Sequence, residues 1–297
     1  MQNRSPFVFR AGPSPARASH AVAERSPPVP MSVDDYLNLP AVPADHRRSY
    51  GSHPEQFGDL YLPVAPGPHP VALLLHGGCW ESRYGLAPLG SLCAALAGEG
   101  LAVWSLEYRR LGGGGGWPAT FLDVAAGADF LASLASAHTL DLTRVIAIGH
   151  SAGGHLAAWL AGRHRLPSAS VLASPAPLPL RGVVALAGIT DLAEGVRRNL
   201  CGGACSELVG GRPVRVPERY ALGSPAELAP LGVPQRHVVG LSDTLVPADY
   251  VRECVERARH QDDVQLETLP GVGHFELVVP SGPAWDAVRG AVLALAA

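Results

Sequence analysis

Apolar residues in this chain gather in short blocks that alternate with longer stretches of helical spacing. Residues 57–62, 71–75, 101–106, 145–148, 183–187 and 236–241 read as strands, and several of these blocks are apolar at nearly every position. An apolar run of that length marks a buried strand. Residues 264–269 alternate instead, as a strand with one side toward solvent does. Between the blocks, helical spacing covers residues 88–97, 117–136, 154–160 and 248–259. A Pro66-Gly67-Pro68 turn separates the first two strands. The alternation continues without a break. It predicts one α/β domain over residues 31–297, with a mostly parallel central sheet and helices on both faces.

Three segments depart from that rhythm. Residues 1–30 are rich in Pro, Ser, Ala and Arg and lack the apolar region of a secretory signal, so they are expected to form a disordered extension. Met31-Ser32-Val33-Asp34-Asp35-Tyr36 then reads like a protein start. The five glycines of 112–116 read as a linker in preference to a mobile lip. Residues 192–230 scatter Gly, Pro and Cys through a weak helical pattern, and an insertion there would cap the site and set substrate choice.

The chemistry is carried by Gly149-His150-Ser151-Ala152-Gly153, which stands between a predicted strand and a predicted helix. G-x-S-x-G in that setting is a nucleophile elbow: the serine occupies a strained turn, and the flanking glycines remove side chains that would clash. The turn lifts the hydroxyl above the sheet edge, and the helix behind it aims its positive end at developing negative charge. A serine needs a histidine to take its proton and an acid to orient that histidine, in the chain order serine, acid, histidine. His274 fits, because it follows the strand at 264–269 through the Pro270-Gly271-Val272-Gly273 turn. Asp243 fits as the acid, in the loop leaving the strand at 236–241, on the sheet edge where open α/β sheets place their ligands. Asp191 competes for that role but also reads as the N-cap of a helix beginning near Leu192. Glu276 follows the histidine too closely to serve.

The oxyanion also needs donors. Residues 71–75 run into His76-Gly77-Gly78-Cys79-Trp80, where successive glycines allow a sharp turn. The predicted hole combines the N–H groups of Gly78, Cys79 and Ala152. His76 reads as an organiser of this loop, Cys79 as either a reactive thiol or a small wall residue, and Trp80 and Tyr108 as candidate walls of the substrate pocket. Two large aromatics so close to the hole predict a preference for short acyl groups.

His76-Gly77-Gly78-Cys79-Trp80, Glu107-Tyr108-Arg109, Trp117-Pro118 with Asp123, and Gly149 through Ala157 together resemble the kynurenine formamidase and carboxylesterase branch of the α/β-hydrolases. Residues 56–63 are similar to the opening strand of that branch, and the resemblance spans about residues 50–280. It implies an α/β-hydrolase fold with a small cap. It also implies a serine hydrolase cleaving an ester or arylformamide of a small molecule, with no metal or organic cofactor. Cys79 departs from the related patterns, which carry a third glycine or an aromatic residue at that position. Acyl transfer on the same triad and a non-catalytic, ligand-binding member of the fold are the alternatives.

Composition narrows the partners. With 47% hydrophobic and 16% charged residues the main body can bury a sizeable core, and a net charge of −3 gives no reason to expect nucleic acid or an acidic membrane surface. No uninterrupted apolar run approaches the ~18 residues that span a bilayer. The five cysteines are odd in number and scattered, so they read as reduced thiols of a cytoplasmic protein, with no partners for a zinc site at Cys201 and Cys205.

Overall fold

The computed structural model describes residues 1–2 and 29–297. Residues 3–28, on which the expectation of a disordered extension rests, lie outside the described residues.

Eight strands form one sheet: β1 (His46–Ser49), β2 (Phe57–Tyr61), β3 (His69–Leu75), β4 (Ala102–Leu106), β5 (Leu140–His150), β6 (Gly182–Leu186), β7 (Gln235–Gly240) and β8 (Val264–Leu269). Their spatial order is β1-β2-β4-β3-β5-β6-β7-β8. Strands β1 and β2 run antiparallel, and every pair from β4 through β8 is parallel. The buried blocks of the sequence supply the central strands, where Val71 through Leu75, Val145 through Ile148 and Val183 through Leu186 are wholly inaccessible to solvent. The edge strand β1 is short, polar and mostly exposed, and so gives no apolar signal to read. Its arginines keep that edge from pairing with another chain.

Helices fill the crossovers. Helix α1 (Val33–Leu37) precedes the sheet, α2 (Gly90–Gly98) joins β3 to β4, and α3 (Ala119–Asp129) with α4 (Leu131–His138) joins β4 to β5. Helix α5 (Ala152–Gly162) follows β5 directly. Four short helices, α6 (Leu192–Arg197), α7 (Ala204–Leu208), α8 (Pro217–Gly223) and α9 (Pro225–Leu228), lie between β6 and β7, in the segment read as a cap. Helix α10 (Ala248–Ala258) precedes β8, and α11 (Gly282–Ala296) closes the chain. Helices α5 and α11 both pack on β5 and β6.

The single helix predicted over 117–136 is broken at Phe130 into α3 and α4. By length and composition the combined stretch Ala119–His138 could cross a membrane. Phe121, Val124, Leu131 and Leu134 are nevertheless packed into the core. The glycines of 112–116 form a tight turn in which Gly113 and Gly115 both donate to the carbonyl of Arg110 at 2.9 Å.

This topology positions the site. The chain leaves β3 toward β4 on one side and reaches β5 on the other, so the loops after β3 and β5 diverge from neighbouring strand ends. Leu75 and Gly149 are paired in register at that point. Open α/β sheets bind ligands at such a switch point, beyond the carboxyl ends of the strands.

Candidate active site

Ser151 sits between β5 and α5 with φ 54° and ψ −117°, a backbone state that residues with side chains rarely adopt. The turn is held by its backbone: Ser151 N–H donates to Leu186 at 2.8 Å, and its carbonyl accepts from Gly154 at 2.9 Å. The glycines of the motif are required by crowding. A Cβ on Gly149 would strike the carbonyl of Gly153, and one on Gly153 would strike the carbonyl of Leu75. Gly77 approaches from β3, so that a Cβ there would lie 3.1 Å from the Ser151 Cβ.

His274 and Asp243 come together as the sequence predicts. His274 Nδ1–H donates to Asp243 Oδ2 at 2.6 Å, and both residues are buried. The second oxygen, Oδ1, accepts from the N–H groups of Leu245 and Val246, each at 2.8 Å, so the loop itself holds the carboxylate. A Cβ on Gly240 would strike the carbonyl of Val272, which shows how tightly the acid loop and the histidine loop pack. Asp191 lies elsewhere. It caps α6 by accepting from Glu194 N–H at 2.9 Å and pairs with Arg257 at 2.7 Å. Glu276 accepts the Met31 N–H at 2.6 Å.

The oxyanion loop follows β3 with three successive residues of positive φ: Gly78 at 102°, Cys79 at 53° and Trp80 at 56°. Among the described residues, no backbone acceptor takes the N–H of Gly78, Cys79 or Ala152. His76 braces the loop from below. Its Nδ1–H donates to the Gly77 carbonyl at 2.7 Å, and its Nε2 lies 2.8 Å from Glu107 and 3.3 Å from Arg110. Burial first, then the charge of Arg110, pushes His76 down to about 3. Arg110 is itself paired with Glu55 and Glu107. The neighbouring motif residues are also structural: Arg109 grips Asp123 through two bonds of 2.7 and 2.6 Å and ties the end of β4 to α3.

Trp80 and Tyr108 do not line the pocket, contrary to the sequence-based expectation. Both are fully buried. The positive φ of Trp80 places its indole in the core, edge-on to His155 at 5.3 Å. Tyr108 stacks on His76 at 4.5 Å and donates its hydroxyl to the His76 carbonyl at 2.8 Å. The argument for short acyl groups drawn from these two rings therefore falls. The cavity that holds Ser151 and His274 has a volume of about 700 Å³ and is walled by Tyr36, Tyr84, Leu200, Leu245 and Phe275.

A second correction concerns the cysteines. Cys79 and Cys201 form a disulfide, with Cα atoms 5.6 Å apart and 122 residues between them in the chain. Cys93, Cys205 and Cys254 are free and buried. The bridge removes the argument for a cytoplasmic protein that rested on reduced thiols. Two further features went unread in the sequence. His150 donates its Nε2–H to the main-chain carbonyl of His274 at 3.0 Å, and burial, then the neighbouring His274 ring, holds it well below the usual histidine range. Helix α1 packs at the mouth, where Tyr36 stacks on Phe275 at 4.8 Å. A capping box between Ser32 and Asp35 starts that helix and is its only sequence signal.

Arginines at the cavity are neutralised. Arg198 is held by Glu194 at 2.6 Å, Asp249 at 2.7 Å and Glu253 at 2.6 Å, and Arg83 pairs with Glu81 at 2.6 Å.

Comparison with known proteins bears on the family and the fold. Esterase LipC of Mycobacterium tuberculosis is 27% identical over 285 residues, covering 89% of this chain and 68% of LipC. A probable isoprenylcysteine alpha-carbonyl methylesterase of Arabidopsis thaliana, ICMEL2, is 36% identical over 114 residues, 37% of this chain and only 26% of its own length. A truncated carbohydrate esterase from gut microbiota shares the fold, with a TM-score of 0.74 at 20% identity over 86% of this chain and 99% of that structure. These likenesses do not single out the kynurenine formamidase branch. The family model described as BD-FAE matches residues 59–255, so the chain belongs to the BD-FAE family, within the α/β-hydrolases.

Proposed function

We propose that the protein hydrolyses a neutral carboxylic ester of a small molecule through an acyl-enzyme on Ser151. One observation carries this reading. Ser151, a histidine bonded to a buried carboxylate at 2.6 Å, and N–H groups without backbone acceptors border a single cavity. In the proposed cycle His274 takes the Ser151 proton as the hydroxyl oxygen attacks the acyl carbon, and Asp243 stabilises the imidazolium that forms. The oxyanion is received by the N–H groups of Gly78, Cys79 and Ala152, each donor being worth about 2.7–4 kcal/mol in the transition state. His274 then gives its proton to the departing alcohol, and water releases the acid by the same route.

Neutrality of the substrate is supported by the paired arginines, which among the described residues leave no free cation at the cavity for a carboxylate or phosphate. A volume of about 700 Å³ with aromatic and aliphatic walls suits a group larger than acetyl. The finer arylformamide reading draws support from the sequence around Ser151, while Cys79 in the oxyanion loop departs from the formamidase pattern. A fluorophosphonate probe, mass-mapped to Ser151, tests the nucleophile. A panel of p-nitrophenyl esters, a feruloyl ester and N-formylkynurenine tests the substrate class. Absence of both labelling and turnover would overturn the proposal in favour of a ligand-binding protein.

A further inference from the structure

We propose that the Cys79–Cys201 disulfide positions the oxyanion loop, so that its two-electron reduction lowers turnover while the protein stays folded. The inference rests on the reading of Ser151 as nucleophile. Its ground is where the bridge lies. One sulfur belongs to Cys79, whose N–H is assigned to the oxyanion, and the other to Cys201 in the cap segment between α6 and α7.

Both ends of the bridge are held in backbone states that residues with side chains avoid. Cys79 and Trp80 have φ of 53° and 56°, and Asn199 and Cys201 have φ of 54° and 57°. Such conformations persist only where the surroundings over-determine them. On the loop side, Leu111 N–H donates to the Trp80 carbonyl at 2.7 Å and Glu81 N–H to the Gly78 carbonyl at 2.9 Å. The second bond holds the Gly78–Cys79 peptide from within the loop, and neither bond reaches the cap. On the cap side the backbone bonds of residues 199–203 are local, such as Gly202 to Asn199 at 3.2 Å, and space around Gly202 and Gly203 is open. The disulfide is therefore the tie between the cap and the Gly78–Cys79 peptide.

The bridge is also reachable. Cys79 and Cys201 are partly exposed and line the cavity. The three remaining cysteines are buried, and burial pushes their thiols up to about 12 for Cys93 and Cys205 and about 11 for Cys254. They are already thiols, so among the described residues this bridge is the bond a dithiol can reduce. Its thiolate attacks one bridge sulfur, the S–S bond breaks, and the mixed disulfide closes onto the second dithiol sulfur. The dithiol is oxidised to a cyclic disulfide, and its two protons end on the Cys79 and Cys201 thiols. Cys79 is then no longer anchored to the cap, and its peptide, held within the loop by the Glu81–Gly78 bond, can shift its N–H away from the oxyanion.

The test uses the full-length protein, reduced with dithiothreitol, freed of it under nitrogen, and compared with the untreated and reoxidised protein. Thiol counting should rise from three to five, with near-UV circular dichroism retained. For p-nitrophenyl butyrate we expect kcat to fall at least about tenfold with KM within about twofold, since an oxyanion donor acts only in the transition state. Reoxidation should restore kcat, and Cys201→Ser should reproduce the reduced enzyme and be insensitive to dithiol. If that variant does not fold, reversible reduction of the native protein carries the test alone. Unchanged kcat in the reduced protein would overturn the inference, as would loss of the near-UV signal or a change confined to KM. Equal turnover in both states sinks only this inference, whereas no turnover and no Ser151 labelling in either state sinks the proposed function as well.

Discussion

His150 donates its Nε2–H to the main-chain carbonyl of His274 at 3.0 Å, and the two rings lie 4.4 Å apart. The residue preceding the candidate nucleophile thus holds the candidate base from behind. Replacing His150 by Leu should lower kcat by about 100-fold, the scale of a misplacement near 1 Å. His150→Gln keeps an N–H donor and should retain most activity. Equal losses in the two variants, measured as kcat on one ester, would show that ring packing and not the hydrogen bond matters.

Ser151→Ala and His274→Ala should each abolish turnover, and the double variant should lose no more than either alone, because the residues act as one unit. Losses that multiply, measured against the uncatalysed rate, would dissolve the proposed triad.

Asp243→Asn should lower kcat by about 10⁴-fold, since an amide cannot hold the required histidine tautomer. Asp191→Ala should leave kcat near the parent value while costing about 1 kcal/mol of stability through loss of the α6 cap. The reverse pattern in kinetics and urea unfolding would exchange the two assignments.

Stability should fall as pH drops below about 6.5. His76, His155 and His237 are pushed down by burial to about 3, about 4 and about 4, and His150 is held well below its usual range. The unfolded chain takes up these protons between the ordinary histidine value and the depressed folded ones, whereas the folded protein does not. Each such histidine removes about 1.4 kcal/mol per pH unit within that window, and none above it. Tm measured at pH 7.5, 6.5, 5.5 and 5.0 should be flat over the first step and fall thereafter. A flat profile throughout would mean these imidazoles protonate in place.

Acyl chain length should favour butyryl or hexanoyl over acetyl esters, because Tyr36, Leu245 and Phe275 offer apolar wall and the cavity holds about 700 Å³. Each accommodated methylene should contribute about 1–3 kcal/mol to kcat/KM. An acetate optimum would place the acyl group away from those walls.

Where a residue's placement depends on its own strand and turn, the sequence carried it. The buried blocks became β2 through β7, and Ser151, Asp243 and His274 each follow a strand whose apolar pattern stands alone. Asp191 was legible both ways, and its cap geometry decided the matter. Roles that depend on approach between distant segments were not legible. Nothing in the spacing of Cys79 and Cys201 foretells a bridge across 122 residues, since pairing is set by where the cap descends. Trp80 and Tyr108 were misread because residue size says nothing about direction, and a positive φ turned the indole inward. His150 occupies the variable position of its motif, which carries no pattern of its own.

The Met31 N–H bonded to Glu276 at 2.6 Å bears on how the amino end can be handled. Among the described residues, Glu276 Oε2 is buried with no partner. A polypeptide begun at Met31 would put an ammonium, with three protons and a positive charge, where a single amide proton now stands. Both carboxylate oxygens could then be served, and the wall formed by Tyr36 against Phe275 would be fastened by charge at its root. A bulky tag fused directly to Met31 would do the opposite, crowding Gly273 one residue from His274. For this enzyme, the choice of first residue is a choice about the active site.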